Sequence, residues 1–328
     1  MRKYIIKRIL ISIVILFFVA FIIYALMRCL PTSFIENMAR QKSMQPGSKS
    51  FDDWMAQLNA MYNMDKSIIP GYFSWLGTAI RGDFGDSWFY TVPVIQKFHS
   101  SIWVSFVMGL VAMILELIIA IPLGVIAATK QYSRTDYTIS VLALAGISLP
   151  TFFFASLLKL VFSVKLQWFD LFGLTGRNYE QLSAMGQFLD KAHHLVLPIV
   201  TLVVISVGSL MRYTRTNMLE VLNADYIRTA RAKGLDERKV IYHHAFRNTL
   251  IPLVTIVGGS LPGLFSGALI TETLYSIPGI GYVSYQAMVG GDIPFSMFYL
   301  TFLAILTLAG NLIADILYAV VDPRVRIS

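Results

Sequence analysis

The chain has 328 residues, 56% of them hydrophobic and only 14% charged, with a mean hydropathy of +0.63 and a net charge of +8. These values lie well outside the usual range of soluble domains, and a single cysteine, Cys29, excludes an internal disulfide. A bilayer core about 30 Å thick needs roughly 20 predominantly apolar residues as helix, and six runs meet that need.

The runs are Ile9–Met27, Ile102–Thr129, Tyr137–Val164, Leu195–Met211, Thr249–Thr271 and Pro294–Ala314; the first, fourth, fifth and sixth hold no charged side chain. This pattern predicts an all-α, polytopic membrane helix bundle with six transmembrane helices. If the N-terminus is cytoplasmic, sixteen of the 27 Lys and Arg fall on the inner side, in 1–8, 130–136, 212–248 and 315–328, and ten outside. Seven of those ten belong to a loop, 28–101, too long to weigh heavily in the positive-inside rule. Both termini are therefore expected in the cytoplasm, and the +8 charge reflects topology and lipid contact rather than nucleic-acid binding.

In chain order, "MRKYIIKRILISIVILFFVAF" could be mistaken for a secretory signal, but its apolar core is 19 residues and no A-x-A-like site follows. Cys29, with Arg28 before it, reads as a small apolar residue at a helix end. The expected division is an N-terminal span over 1–29, an extracytoplasmic helical region over 30–96, a transmembrane core over 97–321 with a cytoplasmic loop at 212–248, and a tail at 322–328. Within the second part, Phe51, Met55, Leu58 and Tyr62, then Tyr72, Phe73, Leu76 and Ile80, repeat at helical spacing. These read as amphipathic helices over the outer mouth, closed by a glycine-punctuated turn, "RGDFGDSW" at 81–88.

Pro122 and Pro150 are expected to interrupt the second and third spans, each 28 residues long. Glu116 sits near the middle of the second, where a charge costs several kcal/mol unless paired, protonated or wetted. It either lines a substrate pathway or bonds to a neighbouring helix, and both readings stand open. Lys159, six residues from the outer end of its span, is expected to snorkel to the interface. The pairs His193–His194 and His243–His244 fall on opposite sides of the membrane. Adjacent helical side chains diverge by about 100°, so no metal site is expected.

The loop 212–248 is the most informative stretch. Met218, Leu222 and Tyr226, flanked by Leu219, Ile227 and Ala230, trace a helical stripe running out of the fourth span. Arg231 and Lys233 suit the last turn of a helix, Gly234 its left-handed end, and Asp236 the N-cap of a second helix from Glu237. That second helix offers Val240, Ile241, Ala245 and Phe246 as its apolar side. A helix, a glycine turn and a helix anchored in lipid at both ends suit a rigid knob docking into a cytoplasmic partner. The fifth span then carries Gly259, Gly263 and Gly267 at steps of four, read as a helix-packing stripe. No G-x-x-x-x-G-K-[ST] is present, so the chain has no P-loop for ATP. No catalytic set is suggested by spacing either.

"ADYIRTARAKGLDERKVIYHHAFRNTLIP" at 224–252 resembles the EAA loop of the membrane subunits of ATP-binding-cassette (ABC) importers, in the form found in the dipeptide, oligopeptide and nickel group. "GDFGDS" (82–87), "IPLGVIAA" (121–128), "TETLYSIPGIG" (271–281) and "DPRVRI" (322–327) resemble the oligopeptide-permease B subunits, in order along the chain. The resemblance implies a type I ABC importer permease fold in a bacterial cell membrane and a coupling helix seated in a groove of an ATPase subunit. Carried over, the central alanine is Ala230 and the glycine is Gly234. Arg228, Thr229, Arg231, Ala232, Lys233, Leu235 and Asp236 are the expected ATPase-facing neighbours. Arg228 stands where the general pattern has Glu, so any salt bridge of that Glu is not transferred. The resemblance further implies a second homologous permease subunit, two ATPase subunits carrying ATP and Mg2+, and an extracytoplasmic solute-binding protein delivering di- or oligopeptides. This chain itself would hold no cofactor. A nickel cargo using His99 with His193 or His194, and a proton-driven transporter using Glu116, are the lesser alternatives.

Overall fold

The computed structural model describes residues 2–29, 33–45, 47–61, 64 and 66–321. Tyr62, the end of one expected amphipathic repeat, and the tail 322–328 with "DPRVRI" lie outside the described residues. Among those described, the chain is helical, with one isolated bridge between Asp86 and Pro93. The helices are α1 (Arg2–Cys29), α2 (Ser33–Ser43), α3 (Phe51–Met61), α4 (Ile68–Ala79), α5 (Val94–Thr129), α6 (Arg134–Ser148) and α7 (Thr151–Leu158). They continue as α8 (Ala184–Leu222), α9 (Asp225–Ala232), α10 (Glu237–Lys239), α11 (Phe246–Ser260), α12 (Leu269–Tyr275), α13 (Ile280–Val289) and α14 (Ile293–Val321). Among the described residues, five helical stretches are long and apolar enough to cross a membrane: Ile5–Cys29, Val94–Thr129, Ala184–Leu222, Glu237–Phe265 and Ile293–Leu317.

The sixth crossing is interrupted at Pro150, as its sequence predicts. α6 and α7, the latter prolonged by a π-helical stretch Lys159–Lys165, are bent by 99° at the break before Thr151. Leu149 is extended (φ −77°, ψ 124°), as the residue before a proline prefers, and Pro150 then opens α7. Pro122, by contrast, lies inside an unbroken α5, as Pro198 does in α8. The 39 residues of α8 reach about 58 Å at 1.5 Å per residue, so this helix extends well past a hydrocarbon core of about 30 Å.

The chain forms two compact units, residues 1–102 with 283–309, and 103–282 with 310–328. In the first, α4 packs along α1 through Tyr72, which is fully buried and ringed by Phe17, Phe21, Tyr24 and Trp75. The Tyr72 hydroxyl donates to the Phe17 carbonyl at 2.8 Å, satisfying a phenol that burial would otherwise penalise. The "GDFGDS" stretch is tied to the start of α14. Ser87 and the Phe89 N–H donate to the buried Asp292 carboxylate, which also accepts from Phe295 N at 3.1 Å.

In the second unit, α6 and α8 pack closely because Gly146 and Gly208 carry no side chain. A Cβ on Gly146 would lie 2.8 Å from the Val204 carbonyl, and one on Gly208 would strike the Ala143 carbonyl. Lys159 opens the π-helical stretch that prolongs α7. Its ammonium donates to the Leu274 carbonyl at 2.5 Å and lies 3.9 Å above the Phe172 ring. The last turn of α12 supplies unpaired carbonyls, and they satisfy the cation inside the protein.

Candidate functional site

α8 ends at Leu222, and Ala224 is extended, so the apolar stripe expected to run on as one helix is broken before α9. The eight residues of α9 nevertheless bury the expected face: Ile227 is inaccessible and Ala230 is 8% exposed. Tyr226, placed on that stripe by its spacing, points out and is half exposed. Ile227 and Ala230 pack with Met218 of α8, with Val240 and Ala245 of a π-helical turn (Val240–Ala245), and with Val125 and Ala128 at the end of α5. The knob is therefore seated on three helical elements at once.

Its turn is built as the local sequence dictates. Gly234 adopts φ +76°, the left-handed region that costs an ordinary L-residue about 1–2 kcal/mol. The Gly234 N–H donates to Arg231 O at 2.9 Å and the Leu235 N–H to Ala230 O at 3.4 Å, the paired bonds of a Schellman ending. Asp236 caps α10 by accepting from Arg238 N at 3.1 Å. Arg231 pairs with Glu237 across the turn at 2.7 Å, an exposed bridge worth at most about 1 kcal/mol. Arg228, Thr229, Ala232, Lys233 and Asp236 are exposed alongside Arg231, and Leu235 is half-buried under the turn. The polar surface of α9 and its turn is thus presented as one small face on which Arg228, Arg231 and Lys233 stand among Asp225, Asp236 and Glu237.

The same unit holds an ion pair that sequence reasoning did not single out. Asp136, 3% exposed, accepts from Arg215 Nε and a terminal nitrogen of the same guanidinium at 2.8 Å each, and from Tyr132 N at 3.0 Å. The bond joins the start of α6 to α8 a few turns before α9. Arg215→Lys keeps the charge but cannot reproduce the two-pronged geometry. It is expected to lower stability by about 1.5–3 kcal/mol, read as a drop in the thermal unfolding midpoint of the purified protein, with Arg215→Ala falling further.

Glu116 faces a cleft of about 270 Å³ between α5, α8 and the stretch after α11, beside Ser105, Met113, Ser206 and Leu264. Gly263 and Gly267 line the same cleft. The three glycines thus do not form one stripe. Gly259 packs on α14, where a Cβ would stand 3.1 Å from that of Ala314, whereas Gly263 faces open space. The fifth span ends at Phe265, and Gly267 lies beyond it at φ +80°, where a Cβ would fall 2.9 Å from the Gly281 Cα. The packing glycines Gly146 and Gly208 were missed because they are isolated in sequence rather than spaced by four.

"TETLYSIPGIG" also resolves into geometry. Glu272 is inaccessible, and its Oε1 accepts from Ser105 Oγ at 2.6 Å and Ala268 N at 2.9 Å, while Oε2 accepts from Tyr282 N at 2.9 Å. Ser105 in turn accepts from Ile280 N at 2.7 Å. Gly279 must be bare, since a Cβ there would fall 2.5 Å from the Glu272 carboxyl carbon. One carboxylate thus ties α5, α12 and α13 together.

Residues 120–327 match the family model described as "Binding-protein-dependent transport system inner membrane component". The chain belongs to this family. As a member it is a multi-pass inner-membrane component of a transport system of the ABC-importer class. Its likeness to relatives runs end to end. It is 37% identical over 327 residues to the oligopeptide transport system permease protein AppB of Bacillus subtilis, covering 99% of this chain and all of that one. It is 34% identical to OppB of Salmonella typhimurium over the same shares, and 34% identical to the dipeptide permease DppB of Escherichia coli K12 over 92% of each chain. A solved inward-facing structure of the MetNI methionine ABC transporter shares the fold, with a TM-score of 0.54 at 17% identity, covering 70% of this chain and 97% of that one.

Proposed function

We propose that this chain is a transmembrane subunit of an ABC importer that carries di- or oligopeptides, and that α9 and its Gly234 turn are the handle by which an ATPase subunit moves it. The observation that carries the handle is its seating. A short helix with a buried apolar face and an exposed charged one rests on α5, α8 and the π-helical turn Val240–Ala245 together. A force on α9 therefore reaches three helical elements without bending a flexible loop. Peptide cargo rests on the end-to-end similarity to permeases named for oligopeptides and dipeptides.

In this reading the permease core is 97–321, both termini and the 212–248 loop are cytoplasmic, and ATP with Mg2+ is held and hydrolysed by two separate subunits. A second, homologous permease completes a heterodimer, and a binding protein delivers peptide from outside. Arg228, Thr229, Arg231, Ala232, Lys233, Leu235 and Asp236 form the ATPase-facing edge, while Ala230 and Gly234 set its shape. Glu116 lines the pathway, in the cleft that it shares with Gly263 and Gly267. Closure of the ATPases and delivery from outside then bias one two-state element from both ends.

The test is reconstitution of the chain in liposomes with its partner permease, both ATPases and the binding protein. Uptake of radiolabelled peptide is expected only with internal access to ATP and with the binding protein outside. Uptake that persists without the ATPases under a proton gradient would replace this reading with a secondary transporter.

A further inference from the structure

At the end of α8 opposite the α9 knob, three side chains with metal-ligating atoms converge: Asp170, His193 and His194, with those atoms all within 4.8 Å of one another. His193 and His194 point apart as adjacent helical residues must, their rings 83° from parallel, but Asp170 comes in from the preceding loop to meet both. His194 decides the chemistry. Its side chain is 2% exposed, and Nδ1 lies 2.8 Å from the Asp190 carbonyl, which can only accept. Nδ1 therefore carries the proton, and in the neutral ring Nε2 presents a lone pair. That nitrogen is buried without a hydrogen-bond partner and stands 3.2 Å from Asp170 Oδ2. Two lone pairs facing each other repel unless a proton or a metal ion lies between them.

We propose that Asp170, His193 and His194 form a binding site for a divalent transition-metal ion of the Zn2+ type. Ligand atoms about 2.0–2.1 Å from a tetrahedral zinc stand about 3.3 Å apart, which the Nε2–Oδ2 distance of 3.2 Å already matches. Two imidazoles and a carboxylate are a donor set that zinc accepts, with water as the fourth ligand. The outer shell is in place as well. The Asp190 carbonyl fixes the His194 tautomer, Asp190 Oδ2 accepts from Gly176 N at 2.8 Å, and Phe169 stacks on His193 at 4.7 Å. The bound ion pins the loop before residue 170 to α8.

The chain is purified with a histidine-free tag, stripped with chelator and titrated with ZnCl2 by calorimetry, with metal analysis of the desalted protein. One equivalent bound at micromolar affinity or tighter is expected. Asp170→Asn and His193→Ala each weaken it by about 100-fold, while His243→Ala at the far end leaves it unchanged. X-ray absorption on the zinc-loaded wild-type chain reads the ligands directly, whatever the variants do to folding, and should show two imidazole nitrogens. Failure of the wild-type chain to bind zinc stoichiometrically would overturn the site and leave His194 as a protonated partner of Asp170. Binding unchanged in Asp170→Asn/His193→Ala, or a shell without imidazole, would overturn it equally. None of these results bears on peptide import.

Discussion

Glu272→Ala is expected to destabilise the purified chain by about 3–5 kcal/mol, the largest effect of any single substitution considered. Its carboxylate is the shared acceptor of Ser105 Oγ, Ala268 N and Tyr282 N in an inaccessible position. Removing it strands three donors that water cannot reach, at about 1–3 kcal/mol apiece before relaxation. Glu272→Gln sharpens the test. The amide keeps one acceptor but turns its nitrogen either toward Tyr282 N or toward Ser105 and Ala268 N, setting donor against donor. Glutamine is therefore expected to rescue little of the loss, as measured by the thermal unfolding midpoint in detergent. A glutamine variant as stable as the wild type would show that the site needs shape rather than an acceptor.

Ala232→Trp is expected to leave the chain folded and to cut ATP-driven peptide uptake by about 30-fold or more, the cost of a hot-spot misfit of about 2 kcal/mol. Ala232 is exposed at the end of α9 and takes no part in the cluster that holds the knob. A bulky side chain there meets only what docks from outside. Ile227→Asp makes the complementary change beneath, placing a charge among Val125, Met218 and Val240. It should lose both stability and uptake, so the pair separates the partner-facing surface from its foundation. Full uptake by Ala232→Trp would remove the handle from α9.

The spans were legible because a lipid-facing helix needs only length and apolarity, and α1, α5, α8 and α14 cover the runs that marked them. The Gly234 turn was legible because every interaction that makes it lies within a few residues, from Ala230 to Arg238. What stayed hidden depends on distant partners. Val125 and Ala128 support Ile227 from a hundred residues away, and no local pattern marks them. Pro122 and Pro150 look alike in sequence, yet one sits inside a continuous helix and the other opens a new one at a sharp bend. Glu272 carried a faint signal in Gly279 and Gly281, whose bare backbones let the chain close around it. Adjacent histidines argued against a metal, and Asp170, which reaches both, comes from a loop more than twenty residues upstream.

The most direct test of the coupling handle is site-specific photo-crosslinking within the assembled importer. A photoreactive amino acid is placed at Thr229 or Ala232, both exposed on α9, with Arg177 as the control before α8. Crosslinks from Thr229 and Ala232 to an ATPase subunit, and none from Arg177, are expected. An ATPase captured from Arg177 and not from α9 would contradict the assignment of the knob and the orientation of the chain together.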